Sequence, residues 1–493
     1  MMLAYDHRYF ERTAVSLPLL ARLLDERDSL SERVAEWAPD LVCFSVLTNA
    51  YQWSLDMAAR MKRLTNAPVL FGGVHVVSVP EVVIGENCVD MVCVGEGEGP
   101  LLELLEQLEN YPRVEVPGIW VKGDGAVRKG EPPALVSDLD SLPLPDKDLF
   151  YYQLPWLSAG YLVITSRGCP YACTFCGNDV LRRAYRGRGR YVRRRSVEGV
   201  LDEMLNARSR YNPERFNILD DCFTADKAWL EEFCRRYRRE VRLPFVALSH
   251  PRLIDGEVAG LLSGAGCFQL LLGLQSSSER TRREVLNRRE TNLQIQKAAE
   301  LCHIHNLSFS IDHIFCIPGE GVEEYRHALG FYNSLRPSAV NTYWLIYFPR
   351  TRIVDTALEA GILSREDLPL VDRGLLNVSM NVGIGRGESG DRGVPYTNYA
   401  FLYALIPLLP PRLVDFLVRR GIYLEGRSVP LALIAAARVL ALLKIGIWGI
   451  YRSEVLSMLR GFLAKSLKIL FRRAAGAIKR FHPCVGRTPE QSP

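Results

Sequence analysis

Along the first 140 residues, short apolar runs alternate with amphipathic stretches. Leu41–Val46, Val69–Phe71 and Met91–Val94 are brief and rich in branched side chains, the pattern of strands buried on both faces. Around them, Ser31–Trp37, Gln52–Leu64 and Pro100–Glu109 carry apolar residues at helical spacing. The alternation predicts a Rossmann-like parallel α/β layer. Three loops leave the strand-like runs: Ser45–Asn49 with Ser45, Leu47 and Thr48; Gly72-Gly73-Val74-His75; and Gly95-Glu96-Gly97-Glu98. Open parallel sheets bind ligands at such loops.

The alternation resumes at Tyr161–Thr165 and recurs at Arg215–Leu219, Pro244–Leu248, Gln269–Leu274, Ser308–Phe315 and Ala339–Phe348. Six strand-then-helix units predict a curved, barrel-like parallel sheet. Beyond residue 396 the pattern changes: Tyr399–Leu409 and Val429–Ile450 are strongly apolar, and Ser453–Arg480 is basic and amphipathic. The expected organisation is an α/β domain over 1–140, a Pro-rich linker over 141–159, a partial (β/α)6 barrel over 160–360, a helical or irregular extension over 361–424, and a helical tail over 425–493.

Composition narrows the class. The 493 residues are 48% apolar and 24% charged, which is globular rather than disordered. The net charge of +5 hides an asymmetry, because residues 401–493 carry 15 Lys/Arg against 4 Asp/Glu, net +11, and the remainder is at −6. A basic apolar tail points to an anionic surface and not to nucleic-acid binding by the whole protein. Twelve cysteines are too few for a disulfide scaffold, and Met1–Phe10 lacks the order of a signal peptide. A reducing, cytoplasmic setting is expected, where clustered thiols bind metal more often than they pair.

One cluster stands out. Ser166-Arg-Gly-Cys-Pro-Tyr-Ala-Cys-Thr-Phe-Cys-Gly-Asn178 places Cys169, Cys173 and Cys176 directly after the first barrel strand. Three thiolates on one short loop suit three irons of a 4Fe–4S cluster and leave the fourth iron for a small molecule. The alternatives are a zinc site, which wants a fourth Cys or His nearby, or three incidental thiols. This loop resembles the signature of the radical S-adenosylmethionine (radical SAM) superfamily. Leu219-Asp-Asp-Cys-Phe-Thr224, Leu272–Arg280 and Phe315-Cys-Ile-Pro-Gly-Glu320 resemble further strand segments of that barrel. The resemblance implies S-adenosylmethionine contacts at Phe175, Asp220, Asp221, Gln275, Pro318 and Gly319, with Cys169, Cys173 and Cys176 as cluster ligands. Three positions depart from the family pattern: Gln275 stands where Glu is commoner, Cys316 replaces a Gly, and Pro349-Arg-Thr351 replaces Pro-Gly-Thr. Cys316 is also a candidate catalytic thiol at the barrel mouth.

Pro39–Thr48, Phe71–Val76 and Val89–Glu98 are similar to the cobalamin-binding domain that precedes the barrel in one radical SAM subgroup. That resemblance implies cobalamin contacts from Ser45, Leu47, Thr48, Gly72, Gly73, His75, Gly95, Glu96, Gly97 and Glu98. The first strand of that domain is incomplete here, since Met1–Asp6 is all that supplies it, and the Asp-x-His-x-x-Gly cobalt-ligating motif is absent.

Other features carry competing readings. Arg182–Arg195 holds eight arginines in fourteen residues, which fits a lid over an anionic substrate, a solvated loop, or nucleic-acid contacts. His250, His303 and His313 are isolated, and Cys43, Cys88, Cys93, Cys222, Cys234, Cys267 and Cys302 read as small buried hydrophobes. Val429–Ile450 is long enough to cross a bilayer, but Arg438 and Lys444 interrupt it. The basic helix after it fits an anionic membrane surface, with a helical hairpin on the barrel as the alternative.

The resemblance therefore implies a cobalamin-dependent enzyme in which a 5′-deoxyadenosyl radical abstracts hydrogen from an unactivated carbon and cobalamin delivers a methyl group. The substrate expected is a lipid or another small molecule, and the electron donor a flavodoxin or ferredoxin. Cyclisation or oxidation with the same cofactors, RNA modification, and a non-enzymatic iron–sulfur scaffold are the competing classes. Nucleic acid is not the expected partner, because the C-terminus is helical and apolar.

Overall fold

The computed structural model describes residues 27–123, 125–152, 159–376, 396–423 and 429–444. The first sheet has five strands in the order β1 (Val42–Ser45), β2 (Val69–Gly72), β3 (Met91–Cys93), β4 (Ile119–Gly123) and β5 (Ala126–Lys129). The expected runs form β1 to β3, which are parallel and in sequential order. The sheet is mixed and not wholly parallel, because β4 and β5 form a hairpin added antiparallel to β3. That hairpin covers the β3 edge, which the first three strands alone leave open. Helices Tyr51–Leu64 and Pro80–Gly85 lie in the crossovers between the parallel strands, and Glu98–Glu106 leads from β3 to the hairpin. Residues 1–6, named above as the incomplete first strand, lie outside the described residues.

The second sheet has six parallel strands: β6 (Gly160–Val163), β9 (Arg215–Ile218), β10 (Phe245–Ser249), β11 (Cys267–Gln275), β12 (Phe309–Phe315) and β13 (Ala339–Trp344). They pair in chain order, as a repeated strand–helix unit with right-handed crossovers requires. A two-stranded ribbon, β7 (Ser166–Arg167) with β8 (Arg193–Arg194), brackets the cysteine loop. Period-two alternation assigns the faces. Tyr161, Val163, Phe216, Ile218, Leu270, Leu272 and Ile311 join the core under the helices. Leu162, Asn217, Gly273, Asp312 and Asn341 occupy the opposite, concave face.

The C-terminal helices complete the outer wall. Helix Tyr396–Leu405 buries Tyr399 and Tyr403 in the main core. His313 of β12 is enclosed there by Phe315, Tyr325, Tyr332 and Tyr403, with its Nδ1 2.8 Å from the Tyr332 hydroxyl. The apolar stretch considered as a bilayer crossing is, over Leu431–Lys444, a 14-residue helix packed on Tyr396–Leu405 and β13. Its Ile434, Ala437 and Ala441 are buried, and Arg438 donates to Thr342 Oγ1 at 2.6 Å. The cation inside the apolar run thus has a protein partner. No helix among the described residues is long and apolar enough to cross a membrane. Residues 453–480, the basic amphipathic segment, lie outside the described residues.

Candidate active site at the barrel mouth

The cysteine loop is held from three sides. Asn287 Nδ2 donates to the Ala172 carbonyl at 2.8 Å, Arg352 Nη2 to the same oxygen, and Arg182 to the carbonyls of Cys169 and Tyr171. Thr174 donates its amide to Leu286 and its hydroxyl to Val285, and its carbonyl accepts from Ile353. Cys173 is buried, whereas Cys169 and Cys176 are half-buried. Burial pushes all three thiols up as free groups, Cys169 to about 12. Two donors nevertheless address the sulfurs: Arg288 Nη1 lies 3.6 Å from Cys173 Sγ and Asn178 Nδ2 3.8 Å from Cys176 Sγ. Metal binding deprotonates a thiol, and such donors then stabilise the thiolate. Among the described residues no three His, Cys, Asp or Glu side chains converge on a single metal ion. A multi-iron cluster does not ask its ligands to converge on one point, so a three-thiol donor set fits it.

The residues expected around S-adenosylmethionine are only partly presented. Asp221 is exposed, and the crowded mouth holds its carboxyl above the usual range, partly offset by a hydrogen bond from Asn178. Phe175 packs on Leu286, Ile314, Ile317, Leu345 and Ile353, an apolar shelf beside the cysteines. Pro318 is buried, while Gly319 is exposed at φ +81° with open space beside its Cα. Gln275 ends β11 at φ +70°, where the register with β12 shifts, and its side chain folds back over Gly273. Asp220 corrects the expectation. It is 1% exposed, and both oxygens are taken by Thr165 and Ser166 through their amides and hydroxyls, at 2.5–3.3 Å. Asp220 anchors the start of the cysteine loop and presents no free oxygen to a ligand.

Two departures from the family pattern have a common explanation. Cys316 and Arg350 both occupy the left-handed region, at φ +65° and +62°. Glycine enters that region without the penalty of a Cβ, and a side chain there costs about 1 kcal/mol or more. Cys316 is half-buried, and its amide donates to the Tyr325 hydroxyl at 3.2 Å.

The loops of the first sheet meet the cysteine loop. The helix Gly177–Ala184, directly after Cys176, packs on the short helix Val74–Ser78 that follows Gly72-Gly73. Glu96 accepts from Arg167 Nη1 at 2.9 Å, from Arg193 Nη1 and Nη2 at 2.8 Å each, and from the Val136 amide at 3.1 Å. Arg167 also bonds Glu98. Burial alone would raise the Glu96 carboxyl, but the bonds from Arg193 and Arg167 outweigh it and hold it below the usual range. Glu96 and Glu98, expected at cobalamin, therefore bind the root of the cysteine loop.

His75 is also corrected. It is fully buried against Tyr51, ring centroids 4.2 Å apart, with Nδ1 3.2 Å from Thr48 Oγ1. Burial lowers its imidazole to about 4. Thr48 is buried with it and is likewise not presented. Gly73 has φ +99°, and a Cβ there would lie 2.7 Å from the Val46 amide nitrogen, so this glycine serves the chain's own packing. A Cβ at Gly95, which has φ +137°, would make ordinary contact with Pro133 at 3.7 Å and Pro132 at 4.0 Å, and one at Gly97 would lie 3.8 Å from Cys93 Sγ. Ser45 and Leu47 stay exposed, and Gly72 is half-buried beside them. This neutral, uncharged ledge fits a large flat cofactor such as cobalamin, held without a histidine below its metal.

The arginine run is a bonding network. Six of its eight members bond within the protein. Arg182 and Arg183 hold carbonyls, Arg188 pairs with Glu131, Arg193 with Glu96, and Arg195 with Glu203 and Asp140. Arg194 lies over the Trp229 ring and donates to Phe223. Cys43 is exposed and Cys88 half-buried, unlike the buried Cys93, Cys222, Cys234, Cys267 and Cys302. His250 and His313 are buried, and His303 bonds the Leu335 carbonyl on the outer wall. Sequence reasoning missed Arg288 and Glu290, 7% and 2% exposed, because the charged run 279–290 reads as a solvated helix face. No spacing signal marks them.

Comparison with known proteins agrees with this geometry. Residues 163–332 match the Radical SAM superfamily model and residues 8–105 the B12 binding domain model. The chain is 28% identical over 341 residues to an uncharacterized methyltransferase of Pyrococcus horikoshii, covering 68% of this chain and 72% of that protein. It is 34% identical over 178 residues to hopanoid C-3 methylase of Methylococcus capsulatus, covering 34% of this chain and 32% of that one. The fold is shared with the radical S-adenosylmethionine methyltransferase TsrM from Kitasatospora setae, solved with cobalamin and a 4Fe–4S cluster bound. There the TM-score is 0.60 at 17% identity, over 82% of this chain and 92% of that one. With the three-cysteine loop, the six-stranded parallel sheet and the preceding α/β sheet, these matches give the chain a Radical SAM superfamily domain over residues 163–332, preceded by a B12-binding domain over residues 8–105.

Proposed function

We propose that the protein is a cobalamin-dependent radical SAM methyltransferase acting on an unactivated carbon of a small, largely apolar molecule. The observation that carries this reading is the junction of the two sheets, where Glu96 ties the third loop of the first sheet to Arg167, two residues before Cys169. When bound, the cluster supplies the electron that cleaves S-adenosylmethionine, and cobalamin carries the methyl group. The protein's own contribution is geometric. Asn287, Arg352 and Arg182 fix the cysteine loop, Asp220 fixes its start, and the Glu96 junction sets its distance from the ledge of Ser45 and Leu47. Holding reacting groups at a fixed separation in a sheltered cleft is the main catalytic lever available to such a protein.

The concave face supports the substrate class. Leu162, Ile164, Leu219 and Tyr343 are exposed on it, and the polar pair Asp312 and Asn341, 3.0 Å apart, lies among them. Burial holds the Asp312 carboxyl above its ordinary range. Such a lining takes a hydrocarbon body with one hydrogen-bonding group. The same reading includes a flavodoxin- or ferredoxin-type donor in a cytoplasmic setting, and a peripheral contact of the basic segment 453–480 with anionic lipid. Sedimentation with anionic vesicles of the full chain and of a truncation after residue 450 tests that contact, and equal recovery in the supernatant rejects it.

The central test uses anaerobically purified protein. We expect a corrin absorbance spectrum, about four irons per chain, and transfer of a labelled methyl group from S-adenosylmethionine to the bound corrin. Protein that contains the irons and cleaves S-adenosylmethionine but neither binds nor labels a corrin would reject the methyltransferase reading.

A further inference from the structure

Four buried or half-buried side chains, Arg288, Glu290, His250 and Tyr171, form a continuous path that begins and ends on the cysteine loop. Arg288 Nη1 donates to Cys173 Sγ at 3.6 Å, Nε to Glu290 Oε1 at 2.6 Å, and Nη2 to the Gly273 carbonyl at 2.5 Å. The second oxygen of Glu290 lies 3.3 Å from His250 Nε2, an ion-pair distance without the alignment of a full hydrogen bond. His250 Nδ1 accepts from the Arg252 amide at 3.3 Å, so a neutral ring carries its proton on Nε2, facing Glu290. The ring stacks on Tyr171 of the cysteine loop, centroids 4.0 Å apart and planes 18° from parallel. The guanidinium is thus fixed from three directions and cannot swing away from the sulfur.

A buried cation is tolerated only when it is paired, and Glu290 pairs this one. Only the guanidinium, however, touches a cluster ligand; the carboxylate stands behind it. The potential of an iron–sulfur cluster responds to hydrogen bonds on its sulfurs and to nearby charge. A cationic donor on a ligand sulfur stabilises the state that holds one more electron.

We propose that Arg288 sets the reduction potential of the cluster held by Cys169, Cys173 and Cys176, with Glu290 and His250 as positioning residues that keep its guanidinium on Cys173. The step concerned is the transfer of one electron from a low-potential donor to the cluster, with no bond made or broken at Arg288. The proposal rests on the cluster assignment and not on the fate of the methyl group.

The experiment is an anaerobic reductive titration of the iron-reconstituted full-length protein, followed by electron paramagnetic resonance. Arg288→Gln removes the cation, and the potential is expected to become more negative, with iron retained and a smaller fraction reduced at a fixed dithionite excess. Glu290→Gln leaves the cation uncompensated, and the potential is expected to shift the opposite way. Arg288→Lys keeps the charge but loses the fork, and falls between wild type and Arg288→Gln. Wild-type potentials in both glutamine variants, or shifts of the same sign in both, would overturn the proposal. If Arg288→Gln fails to hold iron, the other two variants decide, and wild-type potentials in both of them overturn it equally. A wild-type protein without any 4Fe–4S signal would instead reject the cluster assignment, so the two failures are distinguishable.

Discussion

Two glutamates occupy comparable places, each in a loop leaving the carboxyl end of a parallel strand, and the protein treats them in opposite ways. Glu96, after β3, accepts four hydrogen bonds from two arginines and an amide, which hold its carboxyl below the ordinary range against the effect of burial. Glu320, after β12, is pushed up to about 7 by burial, which outweighs the lowering effect of Ser276 and Thr281 beside it. The third loop of the first sheet is committed to holding the two sheets together. The loop after β12 instead leaves a carboxyl whose burial is not balanced by a cation bonded to it. An α/β sheet edge can therefore act as a junction or as a mouth, and strand order alone does not decide which.

The sharpest break in this comparison comes from the mouth. Cys169→Ala, Cys173→Ala or Cys176→Ala is expected to abolish cluster assembly and 5′-deoxyadenosine formation, measured by iron content and product chromatography. The junction should survive, so each variant's thermal transition should stay near that of wild-type protein prepared without iron.

The converse break is Glu96→Gln, which leaves Arg193, 6% exposed, without its counter-ion. Removing one partner of a buried pair costs about 3 kcal/mol or more, and calorimetry should show the loss. Because the folded carboxyl titrates below its unfolded range, its stabilisation is present above about pH 4.5 and is lost as pH falls below that range. Glu96→Gln should flatten the acid limb of the stability profile.

Glu320→Gln sharpens the contrast by predicting the opposite slope. A carboxyl raised in the fold is most favourable below the unfolded value of about 4.3, and that contribution disappears as pH rises through about 7. With Glu324 and Arg282 the charged groups near it, the variant should gain up to about 3 kcal/mol relative to wild type between pH 5 and pH 8. A variant whose difference from wild type does not change across that window would contradict the assignment. The smallest effect expected is from Tyr403→Phe, which removes the 2.8 Å bond to the Tyr325 carbonyl on the outer wall, at about 1 kcal/mol by chemical denaturation.

Most strands were legible because branched, apolar runs bounded by polar turns have few other uses. Val42–Ser45 and Phe309–Phe315 show this, each within a residue or so of its expected limits. The hairpin Ile119–Lys129 was not legible as an antiparallel addition, since pairing direction depends on partners distant in sequence. The three cysteines stand out by their spacing alone, and they fall within the stretch that matches the Radical SAM model. Asp220 was legible as important but not in its role, because a motif does not say whether a carboxylate meets a ligand or the amides of its own loop. Buried Arg282, Arg288 and Glu290 were invisible, since a charged run is usually a solvated face and burial is decided by what packs over it. The apolar stretch around Arg438 was open between membrane and protein, and its hydroxyl partner Thr342 lies 96 residues away.

The enclosure of His313 by Tyr325, Tyr332 and Tyr403 makes the barrel wall discontinuous along the gene. Its last staves come from the helices Tyr396–Leu405 and Leu431–Lys444, beyond the last strand among the described residues. A recombination breakpoint placed just after Trp344 would separate an aromatic lock from its key and expose the backs of β12 and β13 to water. The heritable, exchangeable module of this protein is therefore longer than its sheet, and chimeras that keep the terminal helices with their own barrel are the ones that should fold.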